Sequence, residues 1–189
     1  MAAFGAMYPC FAPFAAPETE KAMPTYKKGV VIGELVSANM TLTLASGEIW
    51  GDNKLIEQVN EFASGSIPME TVDMLDEVAE AIYGVTVEDD EVHFKPGDAA
   101  PYGGLAYIKN MQRGGDKFYR GYFFPKVQAA IGNDNAQTRG SSITFQTTTT
   151  NFTVMAPLCD EGAWMIQSAT FASETAAREW IREKLGMTD

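Results

Sequence analysis

Apolar and polar positions along this chain follow a strand-like period more often than a helical one. From Gly29, the run Val30-Val31-Ile32, Leu35-Val36, Met40, Leu42 and Leu44 predicts one long strand, bulged where Gly33 weakens it. Ala45-Ser46-Gly47-Glu48 reads as a turn. Residues 48–60, of mixed polarity and containing Gly51-Asp52-Asn53, read as a short strand and an extended loop. Phe62, Ser64, Ser66 and Pro68 lead into a further strand ending near Val72. The spacing of Met74, Leu75, Val78, Ala79 and Ile82 then predicts a helix over 73–83, with acidic residues at its N-terminus and Gly84 as its left-handed cap.

The second half carries the clearest hairpin signal. Strands over 105–112 and 117–127 flank Arg113-Gly114-Gly115-Asp116, whose glycines tolerate the positive φ of a tight turn. Pro125 cannot donate to a ladder, so the returning strand must end, bulge or lie at an edge there. Over 141–155, apolar residues fall at odd positions (Ile143, Phe145) and then at even ones (Phe152, Val154). That parity switch predicts a bulge or a passage between sheets. A last strand over 163–171 precedes a helix over 174–185, capped by Ser173 and striped by Ala177, Trp180, Ile181 and Leu185. The sum is an α+β chain, mostly β, forming a sandwich or barrel with two helices.

Residues 1–25 stand apart as an extended N-terminal arm, with residues 26–189 as the single domain. Pro9, Pro13, Pro17 and Pro24 break regular structure, while Phe4, Met7, Tyr8, Phe11 and Phe14 supply more apolar surface than a solvated tail carries. Those side chains either pack on their own domain or bind a neighbouring subunit. The arm lacks the basic start and unbroken apolar stretch of a secretory signal, and synthesis in the cytoplasm is expected.

Composition narrows the functional classes. The 189 residues are enough for a core without staples, and the formal net charge is -11, from 14 basic and 25 acidic side chains. Such a surface repels nucleic acid and acidic membranes, since phosphate binders need clustered cations. Two cysteines, Cys10 and Cys159, match no redox or metal spacing. The single histidine, His93, lies in an expected strand with no nucleophile motif beside it. Glu88-Asp89-Asp90-Glu91 lacks the alternating ligands and central glycine of a calcium loop. No catalytic residues, metal or cofactor are therefore expected, and the chain does not read as an enzyme.

Several ordered stretches resemble the major tail proteins of long, flexible-tailed bacteriophages, the phi13-type family. These are residues 23–33 (MPTYKKGVVIG), 62–67 (FASGSI) leading into an acidic helix, 100–104 (APYGG) before a Tyr-containing hairpin, AQTRG at 136–140 followed by SITFQT, and a closing helix with a tryptophan. The likeness spans about residues 20–185 in order. It implies a tail-tube-type β-sandwich or barrel with a flanking α-helix and a C-terminal helix. It also implies polymerisation as stacked hexameric rings around the tape measure protein, with tail terminator and tail-tip proteins at the ends. DNA would pass through without specific binding, no membrane would be involved, and the protein would reside in the virion tail.

Two sets of site residues follow as expectations. Phe4, Tyr8, Phe11 and Phe14 of the arm, with Trp50 and Asp52 of the 45–60 loop, are candidate assembly contacts. Ser142, Thr144, Gln146, Thr148 and Thr150 form a neutral strand face that either lines the lumen or meets outer solvent. The alternative class is a monomeric β-barrel that binds a small ligand among its tryptophans and tyrosines.

Overall fold

The computed structural model describes residues 2–89, 91–132, 138, 146–159 and 162–187. It is a mostly β, α+β architecture built on one large antiparallel sheet. Its strands are β1 (Ala2–Pro13), β2 (Val30–Val31), β3 (Leu35–Ala38), β4 (Thr41–Gly51), β5 (Lys54–Thr71), β8 (Tyr102–Arg113), β9 (Asp116–Ile131), β10 (Thr148–Val154) and β11 (Ile166–Gln167). They run in the order β2-β1-β8-β9-β10-β5-β3, with β11 added to β9 and β4 added to β5. A separate small hairpin joins β6 (Thr86–Glu88) to β7 (Glu91–His93), and the helices are α1 (Asp76–Tyr83) and α2 (Glu174–Lys184).

The predicted central hairpin forms as read. Gly114 and Gly115 turn it at φ 63° and 96°. Pro125 falls where the ladder slips, between the pairs Leu105–Phe124 and Gly103–Val127, so its missing N–H costs no regular bond. β8 and β9 alternate cleanly between two cores. Leu105, Tyr107, Phe124 and Val127 point into one cluster with Phe11, Ile67, Met69, Phe152, Val154 and the apolar face of α1. Ala106, Ile108 and Phe123 point the other way, under Ala177, Ile181 and Leu185 of α2. Small residues let α2 approach: a Cβ at Gly121 would lie 2.5 Å from the Trp180 ring.

Both helices match their signals. Ser173 accepts from the Ala176 N–H at the start of α2, and Gly84 closes α1 at φ 67°. α1 begins at 76 instead of 73, since Leu75 is extended at φ -72°, ψ 152°.

Four expectations need correction. Residues 2–13 of the supposed arm are a full strand, paired with β8 from Ala2–Gln112 to Pro13–Gly103 and slipped around Tyr8. The prolines are accommodated at that slip and at the strand's end, where no donor is needed. Next, the single strand expected over 30–44 is broken into β2, β3 and the start of β4. Gly33 stands at φ 151°, and a Cβ there would come 2.7 Å from the Asp73 carbonyl. Third, Ala45-Ser46-Gly47-Glu48 is mid-strand, paired with residues 58–61 of β5. The turn is Asp52-Asn53, at φ 47° and 61°, a two-residue hairpin in which both side chains tolerate left-handed backbone. Finally, the last strand shrinks to Ile166–Gln167 plus a bridge from Phe171 to Tyr119.

The rest of the N-terminal segment is tied down as well. Glu18 receives Lys126 at 2.5 Å, with both side chains nearly buried, and also accepts the Leu158 N–H at 3.2 Å. Lys126 lies over the Tyr102 ring, 5.2 Å from its centroid.

Candidate assembly surface

The hairpin of β4 and β5 leaves the body of the domain near residues 41 and 66, where β10 still pairs with β5, and runs out to Asp52-Asn53. Every residue from Thr41 to Trp50 and from Lys54 to Glu61 is exposed. Seven of them are large and apolar: Leu42, Leu44, Ile49, Trp50, Leu55, Ile56 and Val59. Ile49, Trp50 and Ile56, at the tip, keep 62%, 63% and 65% of their surface in solvent. Among the described residues β4 pairs only with β5, so its other edge presents unpaired backbone donors and acceptors.

Local contacts order this projection without covering it. Trp50 donates its indole N–H to Glu48 at 3.1 Å, and Gln58 donates to the same carboxylate at 3.4 Å. At the base, Phe62 stacks on Trp164 with centroids 4.3 Å apart and planes at 2°. A long apolar hairpin bared on both faces is a surface that soluble monomers rarely carry.

The sequence-derived assembly contacts separate against this geometry. Trp50 and Asp52 stand at the exposed tip. Phe4, 54% exposed, is open at the start of β1. Phe11 is fully buried and faces Phe152 at 6.0 Å, so it belongs to the chain's own core and is corrected as a contact. Phe14 turns inward onto Tyr26 and Tyr102, at 5.8 and 6.3 Å. Tyr8, at φ 56°, is half-buried beneath the guanidinium of Arg178, 4.4 Å from its ring. Ile49, Leu55, Ile56 and Val59 escape the sequence reading because the mixed polarity of residues 48–60 reads as a short strand and an extended loop. The Asp52-Asn53 pair flanked by apolar residues was the signal that could have found them.

Of the lumen-face candidates, Ser142 and Thr144 lie outside the described residues, as does most of the 136–147 stretch. Gln146 is exposed and Thr148 half-buried. Thr150 is corrected: it is buried on the side of Phe152 and Val154, and its hydroxyl shares a 2.6 Å hydrogen bond with Tyr83. Even-numbered positions of β10 therefore face the core, and no wet face passes through Thr150.

The residues weighed for chemistry are dispersed. Cys10 is buried in β1 and in contact with the Tyr8 carbonyl, and burial pushes its thiol up to about 12. Cys159 lies 3.3 Å from the Met23 sulfur. His93 is exposed, 3.7 Å from Glu91. Among the described residues no group of three or more His, Cys, Asp or Glu side chains could hold a metal ion, and no helix is long and apolar enough to cross a membrane.

Among the described residues at least three grooves mark the surface, and two of them are lined by the ends of strands that carry exposed apolar side chains. One, of about 300 Å³, lies between α1, β7 and the ends of β9 and β10, lined by Met74, Tyr83, Phe94 and Ile131. The larger, of about 660 Å³, lies where β2, β3, the end of β5 and the Tyr8 slip meet, with Arg178 on its wall. No model of a known protein family matches the chain, and no curated protein matches it either.

Proposed function

We propose that this chain is a structural subunit that polymerises as stacked hexameric rings into the tail tube of a long, flexible-tailed bacteriophage. The observation that carries the reading is the bare apolar hairpin of β4 and β5. Burying one large apolar side chain contributes about 1.5–3 kcal/mol. Seven such side chains on one projection are a ready-made adhesive surface. A projecting element that docks on a different surface of the next copy makes a heterologous contact, and such contacts grow into rings or filaments.

Three further features support the reading. The sheet curls until β1 and β3, far apart in strand order, come together, which suits the expected barrel-like tube domain with α1 and α2 at its flanks. The ordered resemblance of residues 20–185 to phi13-type major tail proteins points the same way. The net charge of -11 suits a conduit that must not grip DNA. In this role the partners are further copies of the chain, the tape measure protein, and the terminator and tip proteins.

Electron microscopy of purified protein across a concentration series tests the proposal. Rings or hollow filaments are the expected product, and Trp50→Asp should lose the filaments. Monomers that persist at the highest concentration would remove the reading and leave the small-ligand β-barrel in its place.

A further inference from the structure

The hairpin tip and the larger groove sit at opposite ends of one strand. β5 runs from Lys54, beside the turn, to Thr71, and Val72 begins the groove wall. At about 3.3 Å per residue these 18 residues separate the two surfaces by on the order of 55 Å of strand path. From this placement we infer that the groove lined by Val31, Leu35, Val72, Leu75 and Arg178 is the receiver for the hairpin tip of a second copy. The inference rests on the assembly reading above and names the surface that the hairpin engages.

The groove has the chemistry of a receiver. Val31, Val72 and Leu75 are 41%, 50% and 68% exposed on its walls, apolar surface of the same kind as Ile49, Trp50 and Ile56 at the tip. It is held in shape before any partner arrives. Ile32 N–H donates to the Pro9 carbonyl and Val72 N–H to that of Glu34, both at 2.9 Å. Gly33 at φ 151° and Tyr8 at φ 56° fix the bends between these walls. Its volume, about 660 Å³, is in the range that encloses a bulky aromatic group with its neighbours.

Charge supplies a register. The groove carries Glu34 and Asp73 with Arg178, and the tip carries Glu48, Asp52 and Glu57 with Lys54. Electrostatics favours Lys54 of the tip against Glu34 and Asp73, since Arg178 is already paired with Glu174 at 2.6 Å. The length of β5 keeps a tip from reaching the groove of its own chain, and copies docked head to tail make a heterologous contact. Each docking leaves one free tip and one free groove, so growth continues along the axis of β5.

The test uses full-length protein and two variants, Trp50→Asp in the tip and Leu75→Asp in the groove, with mass followed by sedimentation velocity. Both sites are exposed, and Leu75 occupies the N-cap of α1, where Asp is a preferred residue, so folding is kept and is verified by melting. Neither variant alone should extend. Mixed in equal amounts, the intact tip of one meets the intact groove of the other. One contact forms and growth stops, giving a species of twice the mass of the units each variant forms alone. If Leu75→Asp extends like wild type while Trp50→Asp does not, the groove is not the receiver and the assembly reading stands. If the mixture stays unpaired or extends without limit, the inference is overturned. If wild-type protein never associates, the assembly reading falls and this inference falls with it.

Discussion

Two hairpins of this chain share a backbone design and differ in almost everything else. β8 and β9 turn through Gly114-Gly115, and β4 and β5 turn through Asp52-Asn53, each pair with positive φ at both positions. The first hairpin is covered on both faces, by the inner core and by α2. The second is covered on neither. A two-stranded ribbon alone in water is marginal at best, so turn chemistry and cross-strand pairing do not account for the long bare one. What its apolar side chains lack inside the chain they are suited to find on another copy. In the proposed tube, stability and assembly fall to different hairpins, and substitutions should separate the two.

The covered region should give the largest effect on folding. Phe11→Ala removes a ring with no solvent exposure from the middle of the inner core, opposite Phe152. The expected loss is about 3–5 kcal/mol, read as a lower urea midpoint at unchanged slope. A loss below about 1 kcal/mol would return β1 to the status of a dispensable arm. For the same reason, truncating residues 2–16 should unfold the domain, because it removes the strand between β2 and β8.

That outcome also marks what was legible in the sequence. Where a strand alternates over a buried face, as in β8, β9 and β10, hydrophobic periodicity located it and its turn. The capping residues Ser173 and Gly84 located the helix ends for a similar reason: their chemistry is local. The N-terminal strand was hidden because its prolines argue against a ladder, and only tertiary pairing shows that they fall at a slip and at an end. The bare hairpin was hidden for the opposite reason. With no core face, its two sides are not sorted into apolar and polar, and alternation is the signal on which strand reading depends. Trp50 and Asp52 are legible only as members of an extended 45–60 loop, and the structure puts them at the hairpin tip. Phe11 was misassigned because an aromatic residue among prolines reads the same whether it meets its own core or a neighbour.

A moderate effect is expected from pH, again in the covered region. The Cys10 thiol titrates near 8.5 in an unfolded chain and, raised by burial, at about 12 in the fold. The native state therefore holds a proton that the unfolded state has released. Its stability is full below about pH 8.5 and falls as pH rises from there toward 12, by about 1.4 kcal/mol per unit. Tyr107, pushed to about 12 by burial, adds to the decline only above the ordinary tyrosine range. Urea midpoints in reductant at pH 8, 9 and 10 should therefore decline, and Cys10→Ala should flatten the decline. An unchanged slope in that variant would mean that Cys10 is more accessible than β1 packing implies.

The smallest effect on stability belongs to the bare hairpin, and it sharpens the comparison most. Ile49→Ser and Ile56→Ser change side chains that are 62% and 65% exposed and touch neither core cluster. Each should shift the urea midpoint by no more than about 0.5 kcal/mol, the scale of surface substitutions. The same changes should raise the concentration at which the protein associates, because each removes apolar area from the docking tip. Stability and association, measured on one preparation, then move independently. If Ile56→Ser instead destabilises the monomer by several kcal/mol, the hairpin folds back onto its own domain and is not a free surface. The contrast between the two hairpins would then be lost.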